Sequence, residues 1–328
     1  MNPPARPVPA ASQDAKPTAS IHYATVPTMS LSSKQLRGII PPLPTPMQPD
    51  GRRADVDAFA RLVEFSISAG VHGLWILGTT ARFDLVSDED QRVLAETAAR
   101  VARGRLPLVL NVSDMGTQRT IERARRCDDL PYDYYAALPP WYLPMSVAEV
   151  VDYYHKLADE LARPVVIYNA PWVCNQLPFK EVRRLAEHPR IVGCKDVGPH
   201  VGRALEWPRA ERAQLGFSYL HAHDLVAISA DLETDGFVTA LADPFPELAV
   251  ATWNAAVGGD AARDFRLQSQ LSRLSQATQL GAYLGCVDVA CRYRKLFESM
   301  LPQPLRALDP ETAKRVVAVL DAVGVVPA

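Results

Sequence analysis

The sequence predicts an α/β chain folded as a (β/α)8 TIM barrel with a C-terminal helical layer, and a few observations carry that expectation. Short apolar runs alternate with stretches of helical periodicity over residues 37–257, the pattern of parallel strands joined by crossover helices. No G-x-G-x-x-G opens the first helix, which removes the usual sign of a doubly wound dinucleotide fold. Over residues 258–328 the alternation stops and helical periodicity alone continues.

The elements follow in order. Gly38-Ile39-Ile40 reads as a first strand broken by Pro41, Pro42 and Pro44. Val56, Phe59, Ala60, Val63 and Ile67 then recur at helical spacing until Gly70. Leu74-Trp75-Ile76-Leu77 is too short for a helix and ends in Gly78-Thr79-Thr80, where backbone amides and hydroxyls become available. Ser87 caps a helix carrying Val93, Leu94, Thr97, Ala98 and Val101. The cycle repeats: a strand at 108–112, a helix at 120–127, and a strand at 134–138 that runs into Pro139-Pro140-Trp141-Tyr142. Ser146 and Glu149 form a capping box. A fifth strand at 165–168 ends in Asn169-Ala170-Pro171, and a helix is expected near 179–187. Alternation along the sixth strand, 191–196, puts Lys195 on the face opposite Cys194 and Asp196. Strands seven and eight are expected at 217–220 and 237–241. Asp309-Pro310 opens the last helix and Gly324 closes it.

Composition narrows the function. With 48% hydrophobic residues in 328, the chain can bury a full core. Its 35 basic and 37 acidic residues leave a formal charge of −2 without a dense basic run, so no nucleic acid partner is expected. The 5 cysteines lack paired spacing, which argues against a disulfide framework or zinc ribbon and for a reducing, cytoplasmic setting. No apolar run has the length of a membrane span, so no membrane partner is expected. Residues 1–36, rich in Pro, Ala, Ser and Thr, read as a disordered leader without the apolar core of a secretory signal.

In a barrel, chemistry sits at the carboxyl ends of the strands. Thr79, Tyr142, Tyr168 and Lys195 fall there, at the ends of strands two, four, five and six. Burial favours the uncharged, nucleophilic form of an amine, so the set offers an amine for a carbonyl, phenols to move protons and amides to hold a carboxylate. Taken singly, each has a plain structural alternative: a lysine at a wet rim, a packed tyrosine ring, a turn after glycine.

Taken together, Gly78-Thr79-Thr80, Pro140-Trp141-Tyr142, Tyr168-Asn169-Ala170-Pro171 and Gly193-Cys194-Lys195-Asp196 stand in the order and at the intervals of a known family. From residue 37 onward the chain resembles the dihydrodipicolinate synthase / N-acetylneuraminate lyase family. The resemblance implies a class I lyase in which Lys195 forms a Schiff base with pyruvate or another 2-oxo acid. The protonated imine then draws electrons, so that a carbon–carbon bond is made or broken with an aldehyde partner. It implies that Tyr168 carries protons, that Thr79 and Tyr142 relay them with Tyr142 reaching a neighbouring subunit's site, and that Thr80 helps cradle the carboxylate. It further implies no cofactor or metal beyond the covalent imine, and a homo-oligomer, dimer or tetramer.

Departures from the family pattern point to a changed partner. Ala81-Arg82 replaces Gly-Glu, and Ala81 would be awkward if the turn needs a positive φ. Val173 stands where the synthase places the arginine that grips its semialdehyde, so dihydrodipicolinate synthase activity itself is not expected. Ala81, Arg82, Val173, His223 and Val238 are expected to line the substrate pocket. His221 and His223 have chelating spacing but no evident third ligand. Trp141 and Trp172 suit an apolar or aromatic second substrate. A 2-oxo acid dehydratase or hydratase-aldolase, or a non-catalytic ligand-binding relative, remain as alternatives.

Overall fold

Each apolar run is separated from the next by a helix-length crossover, so its accessible sheet neighbour is a parallel strand. A computed structural model of the chain, which describes residues 36–198 and 200–326, has that arrangement. Strands β1 (Gly38–Ile39), β2 (Leu74–Ile76), β3 (Leu108–Asn111), β4 (Tyr134–Ala137), β5 (Val165–Asn169), β6 (Ile191–Asp196), β7 (Ser218–His221) and β8 (Gly236–Phe237) form an 8-stranded parallel sheet in the order β1-β8-β7-β6-β5-β4-β3-β2. The two ends of that order meet. The carbonyl of Ile39 accepts from His72 N at 2.8 Å and that of Pro41 from Trp75 N at 3.0 Å, so the chain leaving β1 closes the ring against β2. Pro41 and Pro42 have no N–H to return, which keeps this seam short.

The barrel helices are α1 (Val56–Ser68), α2 (Asp88–Ala102), α3 (Thr117–Arg125), α4 (Val147–Glu160), α5 (Phe179–Leu185), α6 (Arg209–Gln214), α7 (Val226–Asp231) and α8 (Pro246–Val257). Their starts are local and chemical. Asp55 accepts from Ala58 N, Ser87 accepts from Asp90 N, and Ser146 with Glu149 forms the reciprocal box. Beyond the barrel come α9 (Ala261–Ala277), α10 (Tyr283–Tyr293) and α11 (Pro310–Val323), the last capped by Asp309 and ended by Gly324 at φ 79°. Leu271 of α9 and Val287 and Cys291 of α10 join the same buried core as Phe59 and Val63 of α1. The expected leader, 1–36, lies outside the described residues except for Leu36, which is buried. Among the described residues no helix is long and apolar enough to cross a membrane.

Strand eight differs from expectation. Only Gly236–Phe237 pairs, and Ala240–Ala242 turns into a short 3-10 helix in which Thr239 Oγ1 accepts from Leu241 N at 3.2 Å. Its apolar residues are buried because the turn packs into the core, not because they extend the sheet. A second 3-10 helix, Val201–Glu206, fills the link between β6 and α6, where no element was expected.

Candidate active site

Residues in register on parallel strands share a face of the sheet. Tyr168 on β5 pairs with Lys195 on β6, and Lys195 pairs with Leu220 on β7. One step along, Asn169, Asp196 and His221 form the next row and point the other way. The second row faces the helices: Asp196 accepts from Tyr219 Oη at 2.6 Å, Gly198 N at 3.0 Å and Arg203 Nη1 at 3.2 Å, while His221 Nδ1 lies 3.2 Å from Ser229 Oγ on α7. These bonds fix the end of β6 from behind, and the first row then presents Lys195 and Tyr168 to the barrel interior.

Lys195 is 4% exposed, with Nζ 4.1 Å from the centre of the Tyr168 ring and 4.9 Å from that of Trp75 on β2. The two rings meet edge to face at 5.4 Å, and together they hold the amine against their electron-rich faces. Tyr168 Oη lies 3.0 Å from Thr79 Oγ1. Gly78 permits this packing, because a Cβ there would stand 3.1 Å from Trp75 Cδ1.

Lys195, Tyr168, Thr79 and Thr80 line a cavity of about 870 Å³, and Arg82, Val173, His223 and Val238 line it with them. That volume lies within the roughly 300–1,000 Å³ usual for small-molecule sites. Two expected residues stand elsewhere. Ala81 is 2% exposed and outside the lining, its carbonyl accepting from Thr45 Oγ1 at 2.9 Å. Tyr142 is 79% exposed and is not part of this chain's cavity. The positive φ of the turn falls on Arg82, at 51°, rather than on Ala81. The Arg82 guanidinium is bound by Asp84, Nε to Oδ1 at 2.8 Å and Nη2 to Oδ2 at 2.7 Å.

The two histidines do not form a chelate. His221 belongs to the outward row, its basicity lowered to about 4 by burial, and its ring stands 5.9 Å and 74° from that of His223. His223 does line the cavity, with Nε2 2.7 Å from the carbonyl of Gly198. Sequence reasoning passed over Trp75, Phe83, Tyr283, Leu284 and Leu305. β2 is apolar and buried throughout, so its own pattern does not mark Trp75 as the inward residue, and the last three reach the cavity from the C-terminal region through long-range packing alone.

The model of the dihydrodipicolinate synthetase family matches residues 35–323. The chain belongs to the dihydrodipicolinate synthetase family. An uncharacterised DapA-like lyase of Halobacterium salinarum is 28% identical over 84% of this chain and 90% of its own length. A probable 2-dehydro-3-deoxy-D-pentonate aldolase of Escherichia coli K12, YjhH, is 29% identical over 90% of this chain and 99% of its own. The crystal structure of YagE from E. coli K12, a member of the family solved with pyruvate, superposes with a TM-score of 0.82 at 25% identity, covering 88% of this chain and 98% of that one. This member of the dihydrodipicolinate synthetase family is a lyase with the family's barrel and C-terminal helical part.

Proposed function

We propose that this lyase forms a Schiff base between Lys195 and pyruvate or a closely related 2-oxo acid, and joins it to, or cleaves it from, an aldehyde. The observation that carries the reading is the buried Lys195 amine against the Tyr168 ring, whose hydroxyl is in turn within hydrogen-bond distance of Thr79. The uncharged amine attacks the ketone carbon, and loss of water leaves the iminium. A proton leaves the neighbouring methyl carbon, and the resulting enamine supplies the electron pair for the new carbon–carbon bond. Tyr168 is proposed to carry protons to and from the reacting oxygen, with Thr79, 3.0 Å from its hydroxyl, as a relay partner. Thr80, in the same cavity, is the proposed partner of the 2-oxo acid's carboxylate. The lysine itself supplies the electron sink, so the route calls on no added cofactor.

The exposed Tyr142 is proposed to complete the site of a second copy in a homo-oligomer. Free cysteines at 127, 174, 194, 286 and 291 suit action in the cytoplasm. The test is reductive trapping. Pyruvate with borohydride should fix a covalent adduct on Lys195, located by peptide mass spectrometry, and Lys195→Ala should abolish it. No adduct across a panel of 2-oxo acids would sink the aldolase reading.

A further inference from the structure

Pyruvate is small, and the cavity extends well beyond what it would fill; the remaining lining describes the other substrate. Phe83, Trp141, Trp172 and Tyr283 bring aromatic rings to it, with Leu284 and Leu305 from the C-terminal region adding aliphatic surface. Phe83 and Trp141 are packed edge to face at 5.9 Å, so that part of the wall is a fixed aromatic corner. Trp172, in the same lining, is 61% exposed, so much of its indole face is open to a ligand.

The charged side chains beyond Lys195 are already engaged. Arg82 is held in a two-point pair by Asp84. Asp224 accepts from Thr239 Oγ1 at 2.8 Å and from Ser275 Oγ, and His223 faces the Gly198 carbonyl. Val173 contributes no charge. An anionic aldehyde would meet a guanidinium already neutralised, and a polyhydroxylated one would have to strip its hydroxyls of water against apolar walls. The geometry points to an uncharged aryl aldehyde as the partner of the 2-oxo acid in this site. This inference rests on the Schiff-base reading above and narrows it.

With pyruvate and benzaldehyde, the enamine carbon bonds to the aldehyde carbon and the carbonyl electron pair moves to oxygen, which takes up a proton. Water then hydrolyses the iminium, freeing Lys195 and a 4-aryl-4-hydroxy-2-oxo acid; cleavage runs the same steps backward.

The experiment measures kcat/KM for benzaldehyde, glyceraldehyde and succinic semialdehyde with pyruvate, alongside borohydride trapping of pyruvate alone. Benzaldehyde should exceed the other aldehydes by about tenfold or more. Trp172→Ala, at an exposed position that folding tolerates, should raise the KM for benzaldehyde by about tenfold, and Trp172→Phe should recover most of the loss. Asp84→Asn, by releasing Arg82, should raise activity toward succinic semialdehyde. If pyruvate is trapped on Lys195 while glyceraldehyde or succinic semialdehyde is preferred, or while none of the aldehydes reacts, the aryl assignment is overturned and the Schiff-base reading survives. If trapping fails, the parent reading falls with it.

Discussion

Asp243, in the link between β8 and α8, is fully buried, and neither carboxylate oxygen meets a hydrogen-bond donor among the described residues. Burial pushes its pKa well above the usual carboxylate range, while the Lys195 charge pulls it back. The sign of the stability effect follows. The unfolded chain ionises near pH 3.9, and the folded chain resists ionising until a higher pH. The penalty is therefore absent below about pH 4, grows as pH rises toward the folded pKa, and is constant above it. Asp243→Asn keeps the shape and removes the charge. Its thermal midpoint should exceed the parent's by at least about 2 °C at pH 8, with the gap closing near pH 4. An equal midpoint at both pH values would mean that the carboxyl has a partner in solution. Tyr168 poses a kinetic question at the same scale. Tyr168→Phe keeps the ring beside Lys195 but loses the hydroxyl near Thr79. Pyruvate trapping should persist while kcat falls by about 10²–10⁴, and an unchanged kcat would remove Tyr168 from proton transfer.

Features set by neighbouring residues were legible, and features set by packing were not. The box at Ser146 and Glu149, the Asp309-Pro310 start and the Gly324 stop are short-range chemistry, and the helices they bound lie where the pattern puts them. The run at 237–241 misleads because an apolar stretch can be buried by a turn as well as by a strand. Gly236 shows what fixes strand eight instead: a Cβ there would stand 2.6 Å from the Gly38 carbonyl on β1, a constraint from a distant part of the chain. The strain that a positive φ would impose on Ala81 does not arise. Ala81 N and Arg82 N donate to the carbonyls of Gly78 and Thr79, and the left-handed position comes at Arg82. Alternation within β6 correctly separates Lys195 from Asp196, but the outward turn of His221 depends on the pairing of β6 with β7, which no single strand reveals. Likewise Tyr283 and Leu305 belong to the cavity only because the C-terminal region packs back onto the barrel.

At the scale of the whole molecule, the catalytic set proposed from the strand ends is incomplete within one chain. Thr79, Tyr168 and Lys195 converge, whereas Tyr142 stands 79% exposed beside Leu143, itself 67% exposed. A loop with two large apolar side chains in water is a natural contact for a second copy, and in a two-fold dimer the same loop would be exchanged both ways. Complementation separates this arrangement from one in which Tyr142 swings into its own cavity. Lys195→Ala and Tyr142→Phe should each be nearly inactive alone. In a mixed dimer, the Tyr142→Phe chain keeps its lysine and receives an intact tyrosine from the Lys195→Ala chain, which assembles one wild-type site. Random mixing should then restore about a quarter of the parental activity per chain. Were Tyr142 to serve its own chain, no mixed species would contain a complete site and the mixture would stay as inactive as its components.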